Sequence, residues 1–411
     1  MHGPNRNDPE QNNQGPTMPV NNRIADFHDE MTEWRRDIHA HPELGFEEVR
    51  TAKIVADKLA EWGIEVHTGV AKTGVVGVLH GNGDKRGQDH AIALRADMDA
   101  LPMTEETGAA HASTTPGKFH GCGHDGHTTM LLGAAKYLAE TRNFDGTVYF
   151  IFQPAEEGHG GGRLMVQEKL FDKFPAKSVW GMHNWPEVPL GQAAIMAGPM
   201  MAAADRFDIE IEGKGTHAAM PHFGIDPVLI GAQIVTMLQS LVSRRTDPLK
   251  QAVISTTMFH SGEAFNVIPR MAKLGGTVRT FDPEIRDMIE AEMTTIAESV
   301  GKAMGAEVRV RYGRGYPPTI NSVDEAEFAA QVAGNLLGSE NVLRDMDPCM
   351  GAEDFSYMLQ ERPGCYIWMG QGDDEHQAMV HNTQYDFNDR ILPIGASYWA
   401  QLVETALPRA G

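Results

Sequence analysis

At 411 residues, with 41% apolar and 22% charged side chains, the chain is too long for one ordinary core and has the composition of a soluble globular protein. Asp and Glu outnumber Lys and Arg by 56 to 35, a formal charge of -21, which argues against nucleic acid or an anionic membrane as partner. There is no run of about eighteen apolar residues to span a bilayer, and the 3 widely spaced cysteines, Cys122, Cys349 and Cys365, suggest no disulfide framework and fit a reducing cytoplasm.

Residues 1–22, rich in Asn, Pro, Gly and Gln, lack the apolar core of a signal peptide and read as a disordered tail. Ile24, Phe27, Met31, Trp34 and Ile38 then place one apolar stripe on a helix that stops at His41-Pro42. A second helix is expected from about Glu47 to Trp62, closed by Gly63. Short apolar runs at Val75 to Leu79 and Ala91 to Leu94 predict buried strands of an α/β sheet.

The second of these runs leads into Arg95-Ala96-Asp97-Met98-Asp99, two carboxylates at a strand's carboxyl end, where open α/β sheets place their ligands. In extended chain, Asp97 and Asp99 share a face and point into one site; the alternative is a solvated acidic loop. Gly121-Cys122-Gly123-His124-Asp125-Gly126-His127 follows, a thiol and two imidazoles on a glycine-punctuated loop. Cys and His two residues apart reach one metal from a loop but not from within a helix, and both suit Zn, Ni, Co or Mn. A plain glycine-rich turn is the competing reading of this stretch alone.

Two further strand ends carry the same kinds of residue. Val148 to Phe152 ends in Gln153-Pro154-Ala155-Glu156-Glu157-Gly158, adjacent carboxylates that point in different directions, so one can bind metal while the other handles a proton. Val179 to Met182 ends in His183. From about Met200 the pattern changes to half-exposed alternation at Phe207, Ile209 and Ile211. Strands and helices then follow in the order βαββαβ to Tyr312, a ferredoxin-like sandwich inserted into the first domain. The division expected is 23–199 with 314–411 for the larger domain and 200–313 for the insert. After Pro317-Pro318 come helical patterns near Glu325 to Leu337 and Glu353 to Leu359, a strand at Tyr366 to Met369, His381 in a loop, and a last helix from about Leu392 to Leu407.

Taken together, these residues resemble the aminoacylase, hippurate hydrolase and auxin-conjugate amidohydrolase branch of the dinuclear-metal peptidase clan, over about residues 30 to 408. The resemblance rests on Arg36 to Leu44, Arg95 to Pro102, Gly121 to His127, Gln153 to Glu157, Gly213 to His222, Asn266 to Pro269 and Met350 to Phe355. It implies an α/β fold with a larger mixed-sheet catalytic domain of zinc-peptidase type and an inserted α+β dimerisation, or lid, domain. It also implies that Cys122, His124, Glu157, His183 and His381 bind two divalent metals, with Cys122 bridging. Zn is favoured, with Mn, Co or Ni as alternatives.

By the same resemblance Glu156 is the general base and acid, and His217 and Asn266 of the insert stabilise the oxyanion. Arg279 matches a position near the substrate carboxylate, with a surface ion pair as the bland alternative. Asp99 orients a ligand from behind, and Asp97, standing where other clan members carry a histidine ligand, has a supporting role. Glu263 and Arg270 depart from the expected insert motif and bear on substrate preference. The activity implied is hydrolysis of N-acetyl or N-aroyl amino acids by a cytoplasmic homodimer. The alternatives are a metallo-dipeptidase or carboxypeptidase and, more remotely, a non-catalytic binding protein on the same scaffold. Met200, Met201, Phe223 and Met350 are candidates for the acyl pocket.

Overall fold

The computed structural model describes residues 20–409. Most of the expected tail lies outside them, and its last residues belong to the fold: Asn21 caps the helix Asn22–Ala25, its side chain accepting from Arg23 N. The predicted first helix is broken after Ala25 and resumes over His28–Ala40, while Ile24, Phe27, Met31 and Trp34 still reach one core and Ile38 is buried. The second helix covers Val49–Glu61, followed by Gly63 at φ +71°, a conformation that favours glycine.

The strands, in chain order, are β1 Glu65–Val70, β2 Gly74–His80, β3 Ala91–Asp97, β4 Thr147–Gln153, β5 Ser178–Pro189, β6 Ala193–Ala194, β7 Gly198–Met201 and β8 Ala203–Glu212. They continue with β9 Thr216–His217, β10 Ala252–Ser261, β11 Val267–Ile268, β12 Met271–Thr280, β13 Glu307–Gly313, β14 Thr319–Asn321, β15 Val342–Leu343 and β16 Gly364–Gly372. An eight-stranded mixed sheet has the order β1-β2-β4-β3-β5-β16-β6-β15. Its central strands β4, β3, β5 and β16 are parallel, so their carboxyl ends open on one edge.

Both faces of this sheet are covered, which is why its strands read as continuous apolar runs. Ile92, Leu94, Phe150, Phe152 and Met182 face a layer containing the helix His124–Thr141 and the last helix Leu392–Ala406. Ala91, Ala93, Ile151 and Val179 face the other side, against Met165, Phe171, Phe355 and Met358. Each large aliphatic chain so buried contributes roughly 1.5–3 kcal/mol.

A second sheet has the order β10-β12-β8-β13, antiparallel throughout. With the helices Pro227–Ser240 and Pro283–Ala303 it forms the βαββαβ sandwich, around a separate core of Phe207, Ile209, Ile211, Leu274, Val278, Ile234 and Ile289. Asp226 and Asp282 cap these two helices by accepting backbone N–H bonds, and Pro stands at the first helical position of each. The strands on either side of this unit, β7 and β14, pair with each other as a separate two-stranded ribbon, so the chain enters and leaves the sandwich at one place.

Candidate metal centre and active site

Cys122 and His124 are aimed at one point by Gly123, at φ +91°, where a Cβ would lie 2.3 Å from Asn184 Oδ1 and 2.6 Å from the Tyr385 hydroxyl. Only glycine fits there. The helix starts at His124, as the first residue after this turn. Cys122 Sγ lies 3.3 Å from His183 Nε2. His183 stands on β5 level with Asp97 on β3, two residues beyond the pair Arg95 and Gly181. His381 is delivered by a loop whose backbone N–H donates to Gly121 O at 2.7 Å, and its Nε2 lies 3.1 Å from Glu157 Oε1.

The donors fall into two triads that share the thiol: Cys122, His124 and His183, and Cys122, Glu157 and His381. Each set brings one ligand atom per residue within 4.8 Å of the others. His381 has φ +64° and Ala155, just before Glu156, has φ +57°, strained values for non-glycine residues and typical of functional sites. Ala155 is held there by its N–H donating to Glu48 Oε1 at 2.8 Å.

Asp99 ties the parts together. Its two oxygens accept from Glu156 N at 3.0 Å and Glu157 N at 2.9 Å, and Oδ1 lies 3.3 Å from His124 Nδ1. One carboxylate therefore fixes the glutamate pair and one imidazole together. Asp97 does share the site with Asp99, but its oxygens are already engaged. Oδ2 accepts from Arg95 at 2.7 Å and Oδ1 lies 2.6 Å from His127 Nδ1. His127, the second imidazole of the glycine-punctuated stretch, is buried and locked between Asp97 and Asn184, 2.7 Å from Asn184 Oδ1.

The chemistry of this donor set fits cations. Six carboxylates, Asp97, Asp99, Glu156, Glu157, Glu353 and Asp354, converge on one fully buried guanidinium, Arg95, and a few imidazoles. Buried charge of this kind is compensated by pairing or by metal. Glu157 Oε1 is buried without a hydrogen-bond partner, an orphaned acceptor facing His381 and His124. Burial opposes the charged His124 ring, yet Asp97 and Asp99 overcome it and raise its pKa to about 10, a measure of how strongly this pocket favours positive charge. Burial, aided by His127, pushes His183 well below the usual imidazole range, leaving the neutral ring a metal needs. Burial, with Glu157 and Glu156, pushes the Cys122 thiol well up, a situation that a bound cation inverts.

Glu156 stands beside the donors rather than behind them. Burial first, then Glu353, Glu157 and Asp354, raise its carboxyl well above the usual range. Asp354 N donates to its Oε1 at 3.3 Å, and the Tyr316 hydroxyl donates to its backbone carbonyl at 2.6 Å. The pattern read as a helix from Glu353 starts instead at Ser356, because Glu353 and Asp354 turn inward to Arg95, at 2.9 and 3.3 Å. Tyr316, Arg95, Glu353 and Asp354 are the site's supports that the sequence did not single out. Arg95 and the pair Glu353-Asp354 lie within quoted motifs, and a guanidinium amid carboxylates was the available signal.

The insert's residues are placed differently. His217 and Asn266 are exposed and held beside each other by the ribbon of β9 and β11, with Ala218 N donating to Asn266 O at 2.9 Å. Among the described residues neither side chain bonds to the metal-facing groups. Arg279 is half-buried and, among the described residues, bonds only Thr277 Oγ1 and Val278 O. It lines a cleft of about 320 Å³ together with Gly158 and Tyr316, next to the glutamate pair. Of the acyl-pocket candidates, Met200 and Met201 are packed into the core, while Phe223 and Met350 are exposed.

Known proteins resemble this chain over most of its length. A hippurate hydrolase of Campylobacter jejuni is 41% identical over 380 residues, covering 92% of this chain and 97% of the relative. An IAA-amino acid hydrolase of Arabidopsis thaliana is 41% identical over 387 residues, covering 92% and 86%. The crystal structure of Bacillus subtilis YXEP, described as a dinuclear metal binding peptidase from the M20 family, superposes with a TM-score of 0.81 at 35% identity, covering 93% of this chain and 99% of that one. The model of peptidase family M20/M25/M40 matches residues 93–405, and the chain belongs to that family.

Proposed function

We propose that this protein is a metal-dependent amidohydrolase that cleaves N-acyl amino acids, N-acetyl or hippurate-like N-aroyl, to a carboxylic acid and a free amino acid. The observation that carries the reading is the pair of donor triads sharing Cys122, with Glu156 alongside. Similarity to proteins named hippurate hydrolase and IAA-amino acid hydrolase supports the substrate class.

Cys122, His124 and His183 would hold one cation and Cys122, Glu157 and His381 the other. Two such cations supply Lewis acidity and a water of lowered pKa. Zn suits the thiolate, imidazole and carboxylate set, with Mn, Co or Ni as alternatives. Glu156 accepts the proton of the water that attacks the amide carbon and returns it to the departing nitrogen. Asp99 keeps Glu156 and Glu157 in register during that exchange. His217 and Asn266 stabilise the oxyanion, and Arg279 takes the substrate carboxylate.

Residues 23–199 with 314–411 act as the catalytic domain and 200–313 as the lid. The exposure of His217 supports its delivery by closure or by a partner subunit. Strand β10 is an unpaired edge showing Val253, Met258 and Phe259, beside Val228, Leu229 and Met237 on the adjacent helix. Such an edge with apolar surface favours a homodimer through the insert. No helix among the described residues is long and apolar enough to cross a membrane, and a cytoplasmic setting suits the unpaired cysteines.

The test is to strip the protein with chelator, restore Zn, Mn, Co or Ni singly, and assay N-benzoylglycine, N-acetyl amino acids and unblocked dipeptides. Metal-restored cleavage of the acylated set is expected. Cleavage confined to free-amine dipeptides would replace this reading with a peptidase, and stoichiometric metal without any turnover would leave a binding scaffold.

A further inference from the structure

The cleft against the open face of the four-stranded sheet is lined by two arginines, Arg206 and Arg279, that have no acidic partner among the described residues. Strand register puts Arg206 opposite Thr277, Ala204 opposite Arg279, and Gly313 opposite Arg206, so Arg206, Thr277 and Arg279 share one face. The alternate residues Phe207 and Val278 fill the core on the other face. Arg206 and Arg279 therefore both line the cleft that Gly158 and Tyr316 close on the catalytic side.

The other charged groups lining this cleft are already matched. Asp205 accepts two bonds from Arg286, at 2.9 and 2.6 Å, one from the Tyr312 hydroxyl and one from Gly315 N. Arg314 pairs with Asp287 at 2.7 Å and with Glu290 at 2.5 Å. Arg279 has only neutral oxygens as partners, and Arg206 enters no ion pair among the described residues. Burial lowers the Arg279 guanidinium, Asp205 opposes the shift and Arg206 adds to it, so the two cations sense each other. Two uncompensated guanidiniums facing one cleft, in a chain of charge -21, fit a ligand with two negative groups.

We propose that the cleft accepts an amino-acid half bearing a second carboxylate, an N-acyl aspartate or glutamate, with Arg279 taking the α-carboxylate and Arg206 the side-chain carboxylate. This rests on the amidohydrolase reading and narrows its substrate class. The cleft volume of about 320 Å³ lies within the range that small-molecule sites occupy. Arg206 is exposed enough for its replacement to leave the fold intact.

N-acetyl-L-glutamate and N-acetyl-L-glutamine are near-isosteres that differ by one charge. Their binding to the metal-loaded Glu156→Gln protein is measured by calorimetry, and their turnover by the metal-loaded wild type. The glutamate ligand is expected to be favoured about tenfold or more in both. Adding Arg206→Gln should bring the ratio to within about twofold of one, mainly through Kd and KM, and Arg206→Lys should restore part of it. A ratio near one in the unsubstituted cleft, or an equal fall for both ligands in Arg206→Gln, would overturn the proposal. Preferential binding that depends on Arg206, with no turnover of either compound or of N-benzoylglycine, would uphold the cleft assignment and sink the amidohydrolase reading instead.

Discussion

The carboxyl edge of the eight-stranded sheet and the inserted segment built on the four-stranded sheet hold their functional groups in opposite ways. At the first, Asp99, Asp97, His127 and Glu48 are buried and bonded on both sides, so Cys122, His124, Glu157 and His183 are fixed before any ligand arrives, and of the donors only His381 is exposed. At the second, His217, Asn266 and Arg206 are exposed, and two of them ride on a two-residue ribbon. A preorganised edge suits metal and proton chemistry, which tolerate little misplacement. A loosely tethered face suits groups that must meet the substrate after it binds.

The comparison breaks most sharply at Glu156. Glu156→Gln should lower kcat by about 10²–10⁴ with unchanged far-UV circular dichroism and metal content, because it removes the proton carrier and no donor. Loss of metal in that variant would reassign Glu156 to the donor set. His217→Ala should cost about 10²–10³ in kcat while stability stays within about 0.5 kcal/mol, which denaturant titration checks. A large stability loss there would contradict a loosely held face.

On the buried side, Arg95→Met should lower unfolding free energy by about 3–5 kcal/mol, since it leaves Asp97, Glu353 and Asp354 without their shared cation. Asp99→Asn should weaken metal binding about 10–100-fold, measured by competition with a chromogenic chelator, because one acceptor oxygen for the glutamate backbone becomes an NH₂.

The smallest effect is in pH. Burial alone would depress His39, but Asp125, 2.8 Å away, and Glu105 outweigh it and raise its pKa to about 9. The folded value exceeds the unfolded one of roughly 6.5, so this contribution is complete below that pH and disappears as pH rises through 9. Thermal unfolding followed from pH 6 to 10 should show the decline, with a shallower slope in His39→Gln. An unchanged slope would remove His39 as its source.

Cys122, His124, Glu157 and His183 are legible as candidate donors because each ends a strand or follows a glycine turn, a local pattern, and the fold brings them together. Strand β1 was not legible, since its residues are mostly exposed and lack an apolar signal. Nor were the supports: Arg95 meets Glu353 across 258 residues of chain, and Tyr316 reaches Glu156 across 160. Periodicity reports which face of an element is apolar, and it carries no information about which distant carboxylate a buried guanidinium selects. His127 illustrates the same limit, because its placement in the helix His124–Thr141 depends on Asn184 from strand β5.

The pairing of β7 with β14 has a consequence for how this architecture can vary. To the larger sheet, everything between Met201 and Thr319 is one long loop whose ends are already joined side by side. Closure entropy grows only slowly with loop length, so lengthening, trimming or exchanging the enclosed sandwich changes the stability of the larger unit little. On the proposed reading the segment is in effect a cassette: substrate preference is open to rewriting within it by transplantation between relatives, provided that Tyr316 keeps its bond to Glu156 O at the metal-facing edge.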